Sequence, residues 1–201
     1  MTFSGRSNLV LASGSKARRD LLEQAGLEFA VRPAHIDETS IIRDLEKKIS
    51  AADIALELAQ RKATAISRDD PLALVIGADQ ILCCGGKLYQ KAVTPEGAKT
   101  DLRLLRGQQH QLVSAVCVVR EAKVLWSFVD TANLLMKKFD DDFIDRYVKA
   151  AGNAILSTVG GYELEGRGPW LFEKIEGDYF TILGLPLIPL LSFLQGEGFG
   201  P

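Results

Sequence analysis

The residues best suited to chemistry sit in five short stretches. In "SGSKARR", Ser13 to Arg19, a glycine lies between two hydroxyls and is followed by Lys16, Arg18 and Arg19 at what reads as the start of a helix. Helix starts carry unpaired N–H groups and the positive end of the macrodipole, so each cation there costs on the order of 0.3 kcal/mol unless an anion offsets it. An anionic ligand removes the conflict: the Ser13 and Ser15 hydroxyls, the free N–H groups and the arginine forks together compose a phosphate cradle. The same residues also read as a helix capped by Ser15 with a solvated basic face. Neither GxxxxGK[ST] nor GxGxxG is present.

Asp79 lies inside the apolar run "LALVIGADQILCC". An unpartnered carboxylate is expensive to bury, so it either accepts backbone N–H bonds or serves a ligand. Asp37 and Glu38 in "HIDETS" are read as loop residues, and they are hard oxygen donors of the kind Mg²⁺ and Mn²⁺ take, or simply solvated acids. Lys62, on an apolar helix face between Ala59 and Ala63, and Lys91, just past a hairpin, are cations able to neutralise phosphate; most lysines are surface groups. His35 and His110 have no HExxH or triad-like setting and read as surface or core histidines.

Composition narrows the function classes. The chain has 201 residues, 47% of them hydrophobic, and a formal charge of -2, which argues against a nucleic-acid binder because such proteins need a basic face that releases counterions. Cys83, Cys84 and Cys117 fit neither a disulfide framework nor CxxC metal spacing; they read as buried strand residues in a reducing cytoplasm. The run "LVLA" is too short for a signal-peptide core. "TILGLPLIPLLSFL" falls short of the roughly 20 residues of a membrane span and contains Pro186 and Pro189, so it reads as a core-packing segment and no membrane partner is expected.

The elements that must position these residues follow from patterning. Leu9–Ala12 reads as a buried strand and Ser15–Ala25 as a helix stopped by Gly26. Asp44–Ala65 reads as one long helix. "LALVIGADQILCC" reads as a strand leading into a "GGK" hairpin, with Gly77 permitting close backbone approach. Thr94, Pro95 and Gly107 mark cap, first turn and stop of another helix. "HQLVSAVCVVR" and "KVLWSFVDTANLLMKKF" read as antiparallel strands joined at "EAK", and "DDDFIDRYVKA" as a helix with acids at its start. Strands and helices mix without repeat or linker, which points to α/β or α+β in one continuous domain over residues 1–201.

Taken in order, "LASGSKARRDLLEQAG", "IDE", "LAQRKA", "IGADQ", "QKA", "LRGQQH", "STVGGYELEGRG" and "IEGDYFTILGLPL" resemble the successive motifs of the Maf family of nucleoside triphosphate pyrophosphatases. The resemblance implies an elongated mixed central sheet with flanking helices and two lobes around a cleft, of the Maf/ITPase-like kind. It implies hydrolysis of a nucleoside triphosphate to monophosphate and pyrophosphate, a divalent metal (Mg²⁺ or Mn²⁺), a homodimer, and a housecleaning role toward modified nucleotides. Carried over by residue, Ser13, Ser15, Arg18 and Arg19 would hold phosphates and Lys62 and Lys91 would line the triphosphate. Glu38 and Asp79 would serve the metal, with Asp79 also acting on the attacking water.

Base preference in the family is tuned at positions that correspond to Arg18, Gln80 and Glu165. Gln80 with Glu165 resembles the 7-methyl-GTP branch, whereas "GGYELEGRG" and His110 in "GQQH" resemble the pyrimidine branch, whose members act on dTTP and UTP. A carboxylate can accept from both the N1–H and the amino group of guanine. A methylated guanine is cationic, and Trp170 is near enough in sequence to Glu165 to stack on it. "QKA" stands where the family has Gly-Lys-Pro and keeps Lys91. The remaining alternative is a non-catalytic regulator of cell division.

Overall fold

The computed structural model describes residues 8–46 and 48–200. Its organising element is β3, Leu74–Cys84, the apolar run that contains Asp79. On one side β3 pairs antiparallel with β5 (Gln109–Arg120) from Val75 through Cys83. On the other side its partner changes. Residues 74–76 pair parallel with β1 (Leu9–Leu11), which itself pairs parallel with β2 (Ala30–Val31). Leu82–Cys84 pair antiparallel with β4 (Lys87–Tyr89) across the glycine hairpin. Between these partners, residues 77–81 face an interruption in the sheet, which is the kind of switch in strand order where open α/β sheets hold ligands.

Beyond β5 the sheet continues through β6 (Lys123–Met136) and β7 (Phe172–Glu176), giving the order β2-β1-β3-β5-β6-β7 with β4 on the side of β3. The β5–β6 hairpin turns at Glu121 and Ala122, with φ of 52° and 58°. Such a two-residue turn matches strand twist, though it is usually built from Asn and Gly.

Helices cover both faces. Helix α1 (Lys16–Gln24) is capped by the Ser15 hydroxyl, as its sequence signals. The expected single helix over Asp44–Ala65 is instead two, α2 (Glu38–Leu45) and α3 (Ala51–Asp69). The reason is local: Ser50 and Asp53 form a reciprocal capping box, which starts a new helix inside the periodic pattern. Likewise Asp37 and Glu38 are not in a loop, because Asp37 caps α2 through the Ser40 N–H and Glu38 opens its first turn. Helices α4 (Pro95–Leu105) and α5 (Asp141–Ala151) begin at Thr94 and Asp140 caps.

Alternation along β3 assigns the cores. Val75, Ile81 and Cys117 pack under Ile54, Leu58 and Ala63 of α3. On the opposite face, Leu74, Ile76 and Val116 meet Leu22 of α1 and Leu190 of α7 (Leu187–Gly196), so the apolar C-terminal segment is core-packing. Leu82, Leu112 and Leu134 cross into a further core with α4 and α5. Two lobes thus share the long strands, with the cleft between them. Cys117 is buried, whereas Cys83 and Cys84 are only half-buried where β3 leaves the covered part of the sheet. No helix among the described residues is long and apolar enough to cross a membrane.

Candidate active site

Where β1 ends, the backbone carbonyl of Ala78 points into the interruption with no strand to receive it. Arg18 supplies the donor. Its Nη1 donates to Ala78 O and to Ser13 Oγ, both at 2.9 Å, and its Nε donates to Gly184 O at 2.8 Å. Nη2 is left for the cleft, which Arg18 and Ser13 both line. One guanidinium therefore ties the loop after β1, the middle of β3 and the loop after α6 (Tyr179–Ile182) into one floor.

Asp79 lies one residue on, facing α3. Gly77 explains how α3 comes close enough: a Cβ there would lie 2.1 Å from Ala59 O and 2.8 Å from Ala63 Cβ. Only glycine admits this approach, and it brings Lys62 down onto Asp79. Lys62 Nζ lies 2.6 Å from Asp79 Oδ1 and 2.9 Å from Glu38 Oε1. Lys62 and Asp79 are 7% and 6% exposed, so the pair is a buried one with Glu38 at its open end. Burial pushes the Asp79 carboxyl above the ordinary carboxylate range, and the charges of Lys62 and Arg18 pull against that shift.

The opposite wall is built from less regular chain. Lys91, linked by a backbone bridge to Val159, looks across at these groups together with Ser157 and Thr158. Lys91 is exposed to the cleft, yet the enclosing protein, followed by the charge of Arg18, lowers its pKa below the usual lysine value. The space between the walls is about 740 Å³ around Asp79 and Glu38, and it runs on into about 770 Å³ lined by Tyr162 and Glu165. Ser15, Gln80, Lys91 and Thr158 border both parts, so the two form one continuous cleft.

Comparison with known proteins now bears on this geometry. Residues 8–197 match the family model described as Maf-like protein. The chain belongs to the Maf family. A relative from Rhizobium meliloti (strain 1021), named 7-methyl-GTP pyrophosphatase, is 48% identical over 191 residues, covering 94% of this chain and 96% of its own. One from Granulibacter bethesdensis, named nucleoside triphosphate pyrophosphatase, is 46% identical over 93% of this chain and 95% of its own. Among solved structures, the Ham1 protein of Staphylococcus aureus aligns with a TM-score of 0.50 at 16% identity, over 94% of this chain and 99% of that one, a likeness of fold.

In this Maf-family chain most of the residues singled out from sequence converge. Ser13, Ser15, Arg18, Glu38, Lys62, Asp79, Gln80 and Lys91 border the cleft around the interruption in the sheet, and Glu165 borders its extension. Arg19 does not line the cleft; it turns along α1 toward Asp20 and Glu23, at 3.6 and 3.8 Å. Lys16 pairs with Asp20 on the helix surface. The charge conflict at this helix start is thus partly settled within the helix, with Arg18 alone turned inward. Trp170 is 69% exposed and lies outside the lining of either cavity.

Three residues given no role from sequence also shape the site. Ser114 is a polar residue within the apolar strand "LVSAVCVV", a signal of the same kind as Asp79, and it bonds to Gln80. Thr181 and Gly184 hold Gln80 and Arg18 through backbone carbonyls, which no side-chain pattern reveals.

The carboxylates of Glu38 and Asp79 are hard oxygen donors, the kind of group a divalent cation takes. Glu38 and Asp79 converge on a single point, now held by the Lys62 ammonium. Among the described residues no group of three or more His, Cys, Asp or Glu is arranged so that it could hold a metal ion. Two carboxylates suit Mg²⁺ or Mn²⁺, which commonly take one or two protein acids and complete their shell with water and phosphate oxygens.

Proposed function

We propose that this protein is a nucleoside triphosphate pyrophosphatase, cleaving between the α and β phosphates to release pyrophosphate, with a leaning toward 7-methyl-GTP. The observation that carries the reading is the Lys62 clamp on Asp79 and Glu38 in the sheet interruption, with Arg18 on the same wall and Lys91 facing them across the cleft. A triphosphate laid there meets cations on both sides of the scissile bond, and phosphoryl transfer is mostly positioning and charge neutralisation. The names of the R. meliloti and G. bethesdensis relatives agree with this chemistry.

In the reaction, Ser13, Ser15 and the free end of Arg18 bind phosphate oxygens at the start of α1, and Lys91 holds the opposite side. Asp79 orients the attacking water and takes its proton as the oxygen adds to the α-phosphorus and the bond to the bridging oxygen breaks. Lys62 keeps Asp79 charged and aimed, which its buried position would otherwise oppose. A Mg²⁺ or Mn²⁺ would be held by Glu38 and Asp79 and, when bound, supplies neutralisation of phosphate charge. Gln80 and Glu165 border the cleft's extension, where the base would lie, and both can accept hydrogen bonds from guanine.

The test is pyrophosphate release from 7-methyl-GTP, GTP, dTTP, UTP and CTP with Mg²⁺ or Mn²⁺. Fastest release from 7-methyl-GTP is the expected result. Preference for the pyrimidines would overturn the base assignment and leave the chemistry, and no release from any nucleotide would favour a binding or regulatory role. A homodimer and cytoplasmic residence belong to the same reading. Free Cys83, Cys84 and Cys117 support the latter. The former is supported by the open edge of β6, which β7 covers only from Asn133 to Met136 and which exposes Val124, Leu125 and Phe128. A monomer mass by sedimentation removes the dimer.

A further inference from the structure

Gln80 borders both parts of the cleft, yet its amide nitrogen is fully engaged within the protein. Nε2 lies 3.0 Å from Ser114 Oγ, 3.1 Å from Thr181 O and 3.0 Å from Ile182 O. Two of these three acceptors are backbone carbonyls, which can only accept, so the nitrogen must face them and the amide cannot flip. Ser114 is committed as well. Its hydroxyl donates to Thr181 O at 2.7 Å, which leaves only a lone pair for the Gln80 N–H. Thr181 is held in turn, its hydroxyl donating to Asp130 Oδ2 at 2.7 Å and its N–H donating to Asp178 Oδ1 at 2.9 Å. Ser114 and Thr181 are both fully buried.

The consequence is directional. With the nitrogen turned inward, Oε1 has no partner among the described residues and is not sealed from the cleft. Gln80 therefore presents an acceptor and not a donor. Without the network the amide could rotate and offer either edge, and base discrimination at this position would blur.

We infer that the Thr181 and Ile182 carbonyls, held in place by the bonds of Ser114 and Asp130 to Thr181, lock the Gln80 amide, so that the base pocket shows an acceptor and selects a base edge rich in N–H donors, with Ser114 and Thr181 acting as positioning residues. This rests on the reading that the cleft holds a nucleotide. The buried network spans β3, β5, β6 and α6.

The experiment measures equilibrium binding, which needs no turnover. 7-Methyl-GMP, UMP and pyrophosphate are titrated into the wild type, Ser114→Ala and Thr181→Val by calorimetry, and melting temperatures are recorded. In the wild type 7-methyl-GMP should bind at least about tenfold more tightly than UMP, the size expected of one well-made base contact. In both variants that ratio should shrink to about threefold or less while pyrophosphate affinity stays within about twofold, a change below the tenfold that 1.4 kcal/mol represents. An unchanged ratio in both variants overturns the inference, and so does a wild type that does not discriminate. An equal fall for all three ligands also overturns it, since it marks general damage to the pocket. If the ratio shrinks as expected but the wild type releases no pyrophosphate from any triphosphate, the enzyme reading fails while this one stands.

Discussion

The two walls of the cleft differ in how far the protein has already spent their polar groups. On the wall made by β3, α1 and α3, Arg18 makes three hydrogen bonds to protein, Lys62 holds two carboxylates and Gln80 Nε2 meets three acceptors. On the wall made by Lys91 and the stretch from Ser157 to Glu165, the side chains of Lys91 and Glu165 are exposed and have no ion pair among the described residues. There Thr158 Oγ1 is shut from solvent without a partner, and Gly160 and Gly161 take φ of 79° and 73° in a segment with few regular bonds. The polar groups of the first wall are committed within the protein, whereas those of the second stand open. Reaction groups gain from being fixed before the transition state, whereas a recognition wall with unspent groups can close on what it binds.

The largest effect that sharpens this contrast is expected at Lys62. Lys62→Met leaves Asp79 buried without its ammonium, and breaking a buried pair from one side costs about 3–5 kcal/mol. Urea unfolding should show that loss, together with near-complete inactivation. A variant as stable as the wild type would mean that the first wall is not held by this clamp.

Asp79→Asn comes next and separates chemistry from structure. Asparagine can still accept from Lys62, so the fold should persist while kcat falls roughly 10²–10⁴-fold, the range for loss of a general base, with little change in KM. In the wild type the acid limb of the rate profile should lie above the ordinary carboxylate range, because burial raises the Asp79 pKa. Near-normal turnover by the variant would remove Asp79 from the reaction.

The contrast between walls also explains what was legible in the sequence. Local signals held: the Ser15 cap, Thr94 with Pro95, the glycine hairpin and the acids at the start of α5 are decided within a few residues. The break at Ser50 was equally local, but the surrounding helical period hid it. The floor of the site was a different matter. Lys62 and Asp79 are 17 residues apart on different elements, and only the close approach at Gly77 makes them partners. Nothing in "KARR" says that Arg18 turns inward while Arg19 stays on the helix surface; that depends on Gly184, 166 residues away. The order of motifs supplied the family, which periodicity could not.

Behind the second wall lies a buried pair that titrates. His110 is 1% exposed, its Nε2 is 2.7 Å from Tyr162 Oη, and its Nδ1 has no partner among the described residues. Burial lowers its pKa from 6.5 to about 4. The folded state therefore binds fewer protons than the unfolded chain between these values, so the stability tied to neutral His110 is complete above pH 6.5 and is lost as pH falls toward 4. Linkage gives a loss of about 2 kcal/mol by pH 5 and about 3 kcal/mol near pH 4. His110→Gln should flatten the acid side of the stability profile by that amount, measured as unfolding free energy from pH 7 to 4. An unchanged slope would mean that His110 is already protonated in the fold.

The smallest effect is expected at Lys91, where the comparison is most exposed to failure. An exposed ammonium with no protein partner contributes little to the fold, so Lys91→Ala should change stability by less than about 0.5 kcal/mol. Its role would be to meet phosphate, and losing one such contact should raise KM about tenfold, equivalent to 1.4 kcal/mol, while kcat moves less. The enclosing protein lowers the Lys91 pKa, so the wild-type KM should begin to rise on the alkaline side below the ordinary lysine value of 10.5, and the variant should lack that limb. A variant with the wild-type KM would show that the second wall recognises its ligand without Lys91. A large loss of stability would show instead that this wall is built as rigidly as the first, and the division between a preorganised and an adaptable side would fall with it.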